Sequence, residues 1–240
     1  MEFHPEKCTV IHVTNKKTIT KYQYNLHGHT LESVTNSKYL GVTISKNLKW
    51  DDHIGNIRSK ASRTLGFINR NLKGCKQPVK AIAYTTLVRP TLEYASSIWD
   101  PYQRKNIKSL ESVQRRAARF ATSNYSDRTP GSVTSILQDL QWESLETRRV
   151  RSRLAMFYKI THGLIDIPPL DYLTPGDGRT RGTNKYRQPP THRDVYKYSF
   201  FPRTITDWNR LPNVITQAAN INEFRAQLSK IPAALLTPNV

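Results

Sequence analysis

Cysteine is nearly missing from this 240-residue chain: Cys8 and Cys75 are the only two. Two thiols so far apart make no disulfide framework, which fits a reducing, intracellular setting. Long apolar runs are missing as well. No uncharged apolar stretch approaches the ~18 residues of a membrane helix. Glu2, Glu6, Lys7, Lys16 and Lys17 punctuate the N-terminal stretch, so a signal peptide is not expected. Apolar residues make up only 37%, below the ~45–50% of ordinary globular domains. Acidic side chains are scarce too, with Asp plus Glu 18 against Lys plus Arg 37 and a net charge of +19. These shortages exclude a secreted mini-protein, a membrane span and an acidic disordered tail. The expectation is an intracellular, strongly basic, α-rich protein of the cytoplasm, the nucleus or both, for which a membrane is not the expected partner.

The positive charge is unevenly placed. Residues 1–74 hold 12 basic and 5 acidic side chains, 75–130 hold 10 and 4, 131–174 hold 5 and 5, and 175–240 hold 10 and 4. Two basic regions therefore flank a neutral one. Nucleic acid is the usual partner of such a field, with an anionic membrane surface or plain solubility as alternatives.

The periodicity predicts an α+β chain that is mostly α, with short antiparallel strands at the N-terminus, a helical bundle, and a loop-rich C-terminal region. Cys8–Thr14 is rich in β-branched residues, Lys21–Leu26 alternates, and His27-Gly28-His29 reads as a hairpin turn. Lys38–Ile44 reads as a further strand, with Gly41 marking a bulge or a close backbone approach. After Trp50 the period changes. Asp51 or Asp52 can cap a helix whose stripe is Ile54, Ile57, Ala61, Leu65, Ile68 and Leu72, closed by Gly74. A helix from Pro78 is expected to be interrupted at Arg89-Pro90, and an apolar segment then runs to Trp99. A third helix covers about Lys105 to Ala121, with Ile107, Leu110, Ala117 and Ala121 inward and Gln114 among them. Two more helices fall in 131–162, the second from Glu143 to His162. Pro168-Pro169, Pro175-Gly176-Asp177-Gly178 and Pro189-Pro190 mark loop chemistry, and a last helix spans Asn220 to Lys230.

No self-contained active site is legible. Asp51-Asp52 could be taken for metal-binding polymerase aspartates, but that chemistry needs a third carboxylate and a strand or hairpin setting, whereas this pair starts a helix. The histidines and Cys8 lack zinc-site spacing, and no phosphate-binding glycine loop or nucleophile elbow occurs. Neither catalytic nor metal-ligating residues are therefore expected. The cationic signal is stronger. Arg104, Lys108, Arg115 and Arg119 share one face of the third helix, flanked by Lys105 and Arg116, opposite its apolar face. Such a helix suits a phosphate backbone, although a solvated helix face has the same pattern. Arg148, Arg149, Arg151 and Arg153 form a second cluster, partly offset by Glu143 and Glu146. A third group (Arg179, Arg181, Lys185, Arg187, Arg193, Lys197 and Arg203) is interleaved with Tyr186, Tyr196, Tyr198, Phe200 and Phe201. Basic and aromatic residues mixed in this way suit stacking on unpaired bases. For Phe200, Phe201 and Trp208, packing onto neighbouring helices is the expected role.

Several stretches, in order, resemble one family. They are Phe3-His-Pro-Glu-Lys-Cys8, Lys38-Tyr-Leu-Gly-Val42, Trp50-Asp-Asp-His-Ile54, Leu87-Val-Arg-Pro-Thr-Leu-Glu-Tyr-Ala-Ser96 and Trp99-Asp-Pro101. Val113-Gln-Arg-Arg-Ala-Ala-Arg-Phe120, Ser199-Phe-Phe-Pro-Arg-Thr-Ile205 and Trp208-Asn-Arg-Leu-Pro212 complete the set. Together they resemble the carboxy-terminal part of reverse transcriptases from non-long-terminal-repeat (LINE-type, jockey-like) retrotransposons of animals.

The resemblance implies an RNA-directed DNA polymerase in which Tyr39, Leu40 and Gly41 belong to a primer-grip-like hairpin. It implies the end of the palm over 1–48, a thumb-like helical region over 49–130, a helical extension over 131–162 and a basic loop region with a terminal helix over 163–240. Arg104, Lys108, Arg115, Arg116, Arg119, Arg148 and Arg149 are then the expected nucleic-acid contacts. The implied partners are an RNA and DNA template–primer duplex and the fingers and palm half of the enzyme. The catalytic aspartates would lie upstream of Met1. The chain alone is thus expected to be an inactive fragment without a cofactor, Mg²⁺ belonging only to the complete polymerase. A non-catalytic basic RNA- or DNA-binding or interaction protein, and a non-functional relic, are the alternatives.

Overall fold

Short β-prone runs separated by turn residues can pair only briefly. The computed structural model describes residues 4–14, 16, 18, 22–127, 129–176 and 185–237. Its strands are β1 (Thr9–Val10), β2 (Asn25–Leu26), β3 (His29–Thr30), β4 (Glu32–Ser33), β5 (Asn36–Tyr39) and β6 (Val42–Ser45). They form three two-stranded pairings: β2–β3 and β5–β6 antiparallel, and β1–β4 parallel. The His27-Gly28 turn behaves as expected, with both residues at positive φ. Two strand expectations shorten: Cys8–Thr14 contracts to β1, and the run to Leu26 contracts to β2, its Lys21 lying outside the described residues.

The stretch 38–44 is corrected. It is not one strand with a bulge but a hairpin, paired from Asn36↔Ser45 to Tyr39↔Val42, with Leu40 (φ 44°) and Gly41 (φ 85°) at its tip. Two consecutive positive-φ residues are what a tight hairpin with right-handed strand twist requires.

Helix α1 (Asp51–Asn71) begins at Asp51 itself, so Asp51 and Asp52 sit in its first turn rather than at the cap. There their charges favour the helix dipole. Asp52 Oδ2 also accepts a 3.1 Å hydrogen bond from Asn36 Nδ2. Of the expected stripe, Ile54, Ala61, Leu65 and Ile68 are buried. In the same region the Thr43 N–H donates to Nδ1 of buried His53 at 3.2 Å, and burial, helped by Lys38, lowers the imidazole pKa.

The chain divides into two compact units, residues 1–59 and 60–240. Helix α2 (Gln77–Ala83) starts with Pro78 in its first turn and is not broken at Arg89-Pro90. It widens into a π turn over Tyr84–Val88 and continues as α3 (Arg89–Glu93). Pro90 lacks an N–H and its ring clashes with the carbonyl one turn back, and a π turn accommodates both without ending the helix. Ala95 at φ 52° then redirects the chain into α4 (Ser96–Trp99).

Helices α5 (Arg104–Thr122), α6 (Ser132–Asp139) and α7 (Leu145–Thr161) follow close to their expected bounds. Ser144 caps α7 by accepting from Thr147 N–H. Beyond the Pro/Gly-rich connection come α8 (Asp194–Lys197), α9 (Phe200–Arg210), α10 (Asn213–Thr216), α11 (Ile221–Ser229) and α12 (Ala233–Leu236). Asn220 caps α11 by accepting from two N–H groups. Helix is 56% of the structure and strand 8%, an α+β fold that is mostly α.

The core of the second unit gathers on α7. Leu154, Phe157 and Tyr158 pack with Ile205 and Trp208 of α9 and Phe224 and Leu228 of α11. Phe157 and Trp208 lie 5.0 Å apart between ring centroids, and Tyr158 and Phe224 4.6 Å. Each such side chain fully buried contributes about 1.5–3 kcal/mol. Phe200, Phe201 and Tyr186 pack against this cluster, the role expected of the first two.

Candidate nucleic-acid interface

Helix α5 is amphipathic by construction. Ile107, Leu110, Val113, Gln114, Ala117, Ala118, Phe120 and Ala121 are buried, and these occupy one arc of the helix. Buried Gln114 is paired at both ends of its amide: Tyr84 Oη donates to its Oε1 at 3.0 Å, and its Nε2 donates to Glu143 O at 2.9 Å. With that arc fixed against α2, α6 and α7, the basic arc must face outward. Arg104, Lys105, Lys108, Arg115 and Arg116 are exposed. Arg104 reaches Glu146 at 3.6 Å, and Arg116 donates to Ser62 Oγ at 2.7 Å. These are light tethers, so α5 presents four of the expected contact residues, Arg104, Lys108, Arg115 and Arg116, on one outward side.

Arg119 differs from the expectation. It is half-buried and donates to Asp127 O at 2.5 Å and Asn124 O at 3.3 Å, so it holds the loop after α5. A cation in this place answers the unpaired carbonyls and the negative end of the helix.

The two arginines of α7 are corrected more strongly. Arg149 is fully buried, its Nε 2.9 Å from Asp100 Oδ1. Arg153, equally buried, joins Asp100 to Asp207, and Arg203 Nη1 donates to Asp100 O at 2.8 Å. Burial opposes ionisation of Asp100, but Arg203, Arg153 and Arg149 outweigh it and hold its pKa below the usual carboxylate value. Glu111 of α5, whose pKa burial raises, also feels Arg149 and accepts from Glu146 N–H at 2.9 Å. Arg149 is therefore an internal tie out of reach of a phosphate. Arg148 is partly buried and grips Glu93 through Nε and Nη2.

The expected basic and aromatic group divides: Tyr196, Arg187, Arg193 and Lys197 are exposed, while others are engaged in packing. Trp208 is core, Tyr198 stacks on Tyr102 at 3.9 Å, and Lys185 Nζ caps the carbonyls of Asn209 and Leu211 at 2.7 Å each. Asp177, Gly178, Arg179 and Arg181, like Phe3, lie outside the described residues. The hairpin tip exposes Tyr39 and Leu40.

The two-metal chemistry of polymerases does not fit Asp51 and Asp52, which open a helix. Among the described residues no three His, Cys, Asp or Glu side chains gather as a metal set. The Asp100 cluster was not anticipated. Its signal was nonetheless present, since Arg149 and Arg153 are four apart on the same side of α7 as Val150, Leu154 and Phe157, where unpaired charge is not tolerated. In comparisons with known proteins, the chain matches no family model, no curated protein and no solved structure.

Proposed function

We propose that this chain is the thumb-like and carboxy-terminal part of an RNA-directed DNA polymerase of the non-LTR retrotransposon kind. In that role it grips the backbone of an RNA or DNA template–primer duplex, while catalysis and Mg²⁺ belong to the fingers and palm half of the complete enzyme. The observation that carries this is the outward basic arc of α5: Arg104, Lys108, Arg115 and Arg116 over a fully buried opposite arc. Arginines and lysines on a rigid helix suit phosphates spaced along a backbone. The ordered family-like stretches and the hairpin at Tyr39-Leu40-Gly41 support it further.

The test is Lys108→Gln/Arg115→Gln/Arg116→Gln, with Arg119 left in place because it holds its own loop. Counterion release makes log Kd against log salt change by about 0.9 per phosphate contact on B-DNA, so losing three contacts should flatten the slope by roughly two to three units. Affinity should fall alike on different sequences, because backbone contacts read no bases. A variant that keeps its wild-type circular dichroism and also its wild-type salt slope would show α5 to be only a solvated face.

A further inference from the structure

A second basic feature of residues 60–240 shares no side chain with α5. It is a cleft of about 400 Å³ along α7 beside α11, lined by Ser96, Arg148, Arg151, Ser152, Lys159 and Arg225 among others. On α7, residues 148, 152, 155 and 159 recur at helical spacing and so share one side. Glu93 and Glu143 also line the cleft, but both are engaged. Glu93 holds Arg148, and Glu143 Oε1 lies 2.7 Å from Arg151 Nη1. Arg151 Nη2 donates to Ser229 O and Ile231 O, and its buried Nε–H has no acceptor among the described residues. Lys159 and Arg225 form no ion pair among the described residues. The cleft thus carries an excess of two positive charges. Like charges around one cavity repel until an anion enters, and focusing by the walls strengthens the attraction for it.

We propose that this cleft binds a phosphomonoester, as carried by a mononucleotide or by the phosphorylated end of an oligonucleotide. A phosphomonoester has a second pKa near 6 and is close to a dianion at neutral pH. It therefore matches the two unneutralised charges, which a singly charged diester does not. Its three acceptor oxygens suit Lys159 and Arg225 together with the hydroxyl of exposed Ser152. Ala155, Met156 and Leu228 supply an apolar wall, and polarisable methionine suits a flat ring.

Titration calorimetry of the full chain with 5′-AMP tests the proposal, with adenosine and 3′,5′-cyclic AMP as controls. AMP should bind saturably, cyclic AMP more weakly and adenosine not at all. AMP affinity should fall as pH drops from about 7.5 to about 5.5 and the phosphate takes up its second proton. Lys159→Gln/Arg225→Gln should weaken AMP at least about tenfold, since charged hydrogen bonds are the strong ones. Ser152→Asp, an exposed helical change, should do the same by repulsion and serves if the double variant misfolds. The Lys108/Arg115/Arg116 variant of α5 should bind AMP as wild type does, so failure of the duplex-binding proposal leaves this one standing. Comparing a 5′-phosphorylated single strand with its unphosphorylated twin separates the two sources: preference for the phosphorylated strand without AMP binding assigns the cleft to strand ends. The proposal is overturned if neither AMP nor the phosphorylated strand saturates by about 10 mM. Binding indifferent to both the double variant and Ser152→Asp also overturns it.

Discussion

Burial alone would favour the neutral acid at Asp100, and three arginines reverse that balance. Removing the carboxylate charge leaves Arg149 and Arg153 buried with a weaker partner, a change that costs about 3–5 kcal/mol when one member of a buried pair is lost. Asp100→Asn should therefore lower urea-unfolding stability by that order. A loss under about 1 kcal/mol would show that the cluster relaxes into water. The pH dependence has a definite sign. The folded pKa of Asp100 lies below its unfolded value of about 3.9, so its stabilisation is present above that value and lost as pH falls through the folded pKa. Wild type should lose stability below about pH 4 more steeply than Asp100→Asn does. Depth is what the sequence does not state at this scale. Arg115 and Arg149 look alike in a charge count, yet one is exposed and the other sealed.

The β5–β6 hairpin depends on its turn. Leu40 and Gly41 both adopt positive φ, where a β-branched side chain is strained. Gly41→Val should cost roughly 1–2 kcal/mol, whereas Gly41→Asn, which tolerates that region, should be close to neutral. Thermal unfolding of both variants checks this, and equal melting would mean that the tip opens freely. The helices α1, α5, α7 and α11 were legible because their apolar residues recur at helical spacing. The hairpin was implied only by the resemblance and not by the residues, since Leu-Gly is not among the strong turn pairs and its flanks continue a single β-like pattern. The π turn was equally hidden. Pro90 signals trouble for a helix, yet the chain winds on through a π turn whose Tyr84 and Val88 are buried.

At the scale of the molecule, a net charge of +19 on 240 residues works against compactness, because exposed like charges repel. The pairs around Asp100 in the second unit are shielded from solvent, whereas the exposed repelling charges are not. Salt therefore screens the repulsion more than the attraction, with a Debye length of about 8 Å at 0.15 M. Tm should rise between about 0.01 M and 0.15 M NaCl. A fall over this range would show that surface pairs such as Arg104–Glu146 dominate instead. The candidate interface was readable as a face of α5, while the cleft along α7 was not, because it needs α11 and α4 brought beside it from distant parts of the chain.

Arg203 reaches Asp100 across 103 residues of sequence. On a ribosome adding about 5–20 residues per second, Asp100 therefore emerges some 5–20 s before its last partner. Arg149 and Arg153 appear in between, and Arg153 must wait for Asp207. Until α9 has been synthesised, the nascent helices carry charges that have no place to be buried. The segment from Phe200 onward is thus the closing piece of the fold rather than an appendage. A chain ended before it would be left without the lock that joins α7 to the turn after α4.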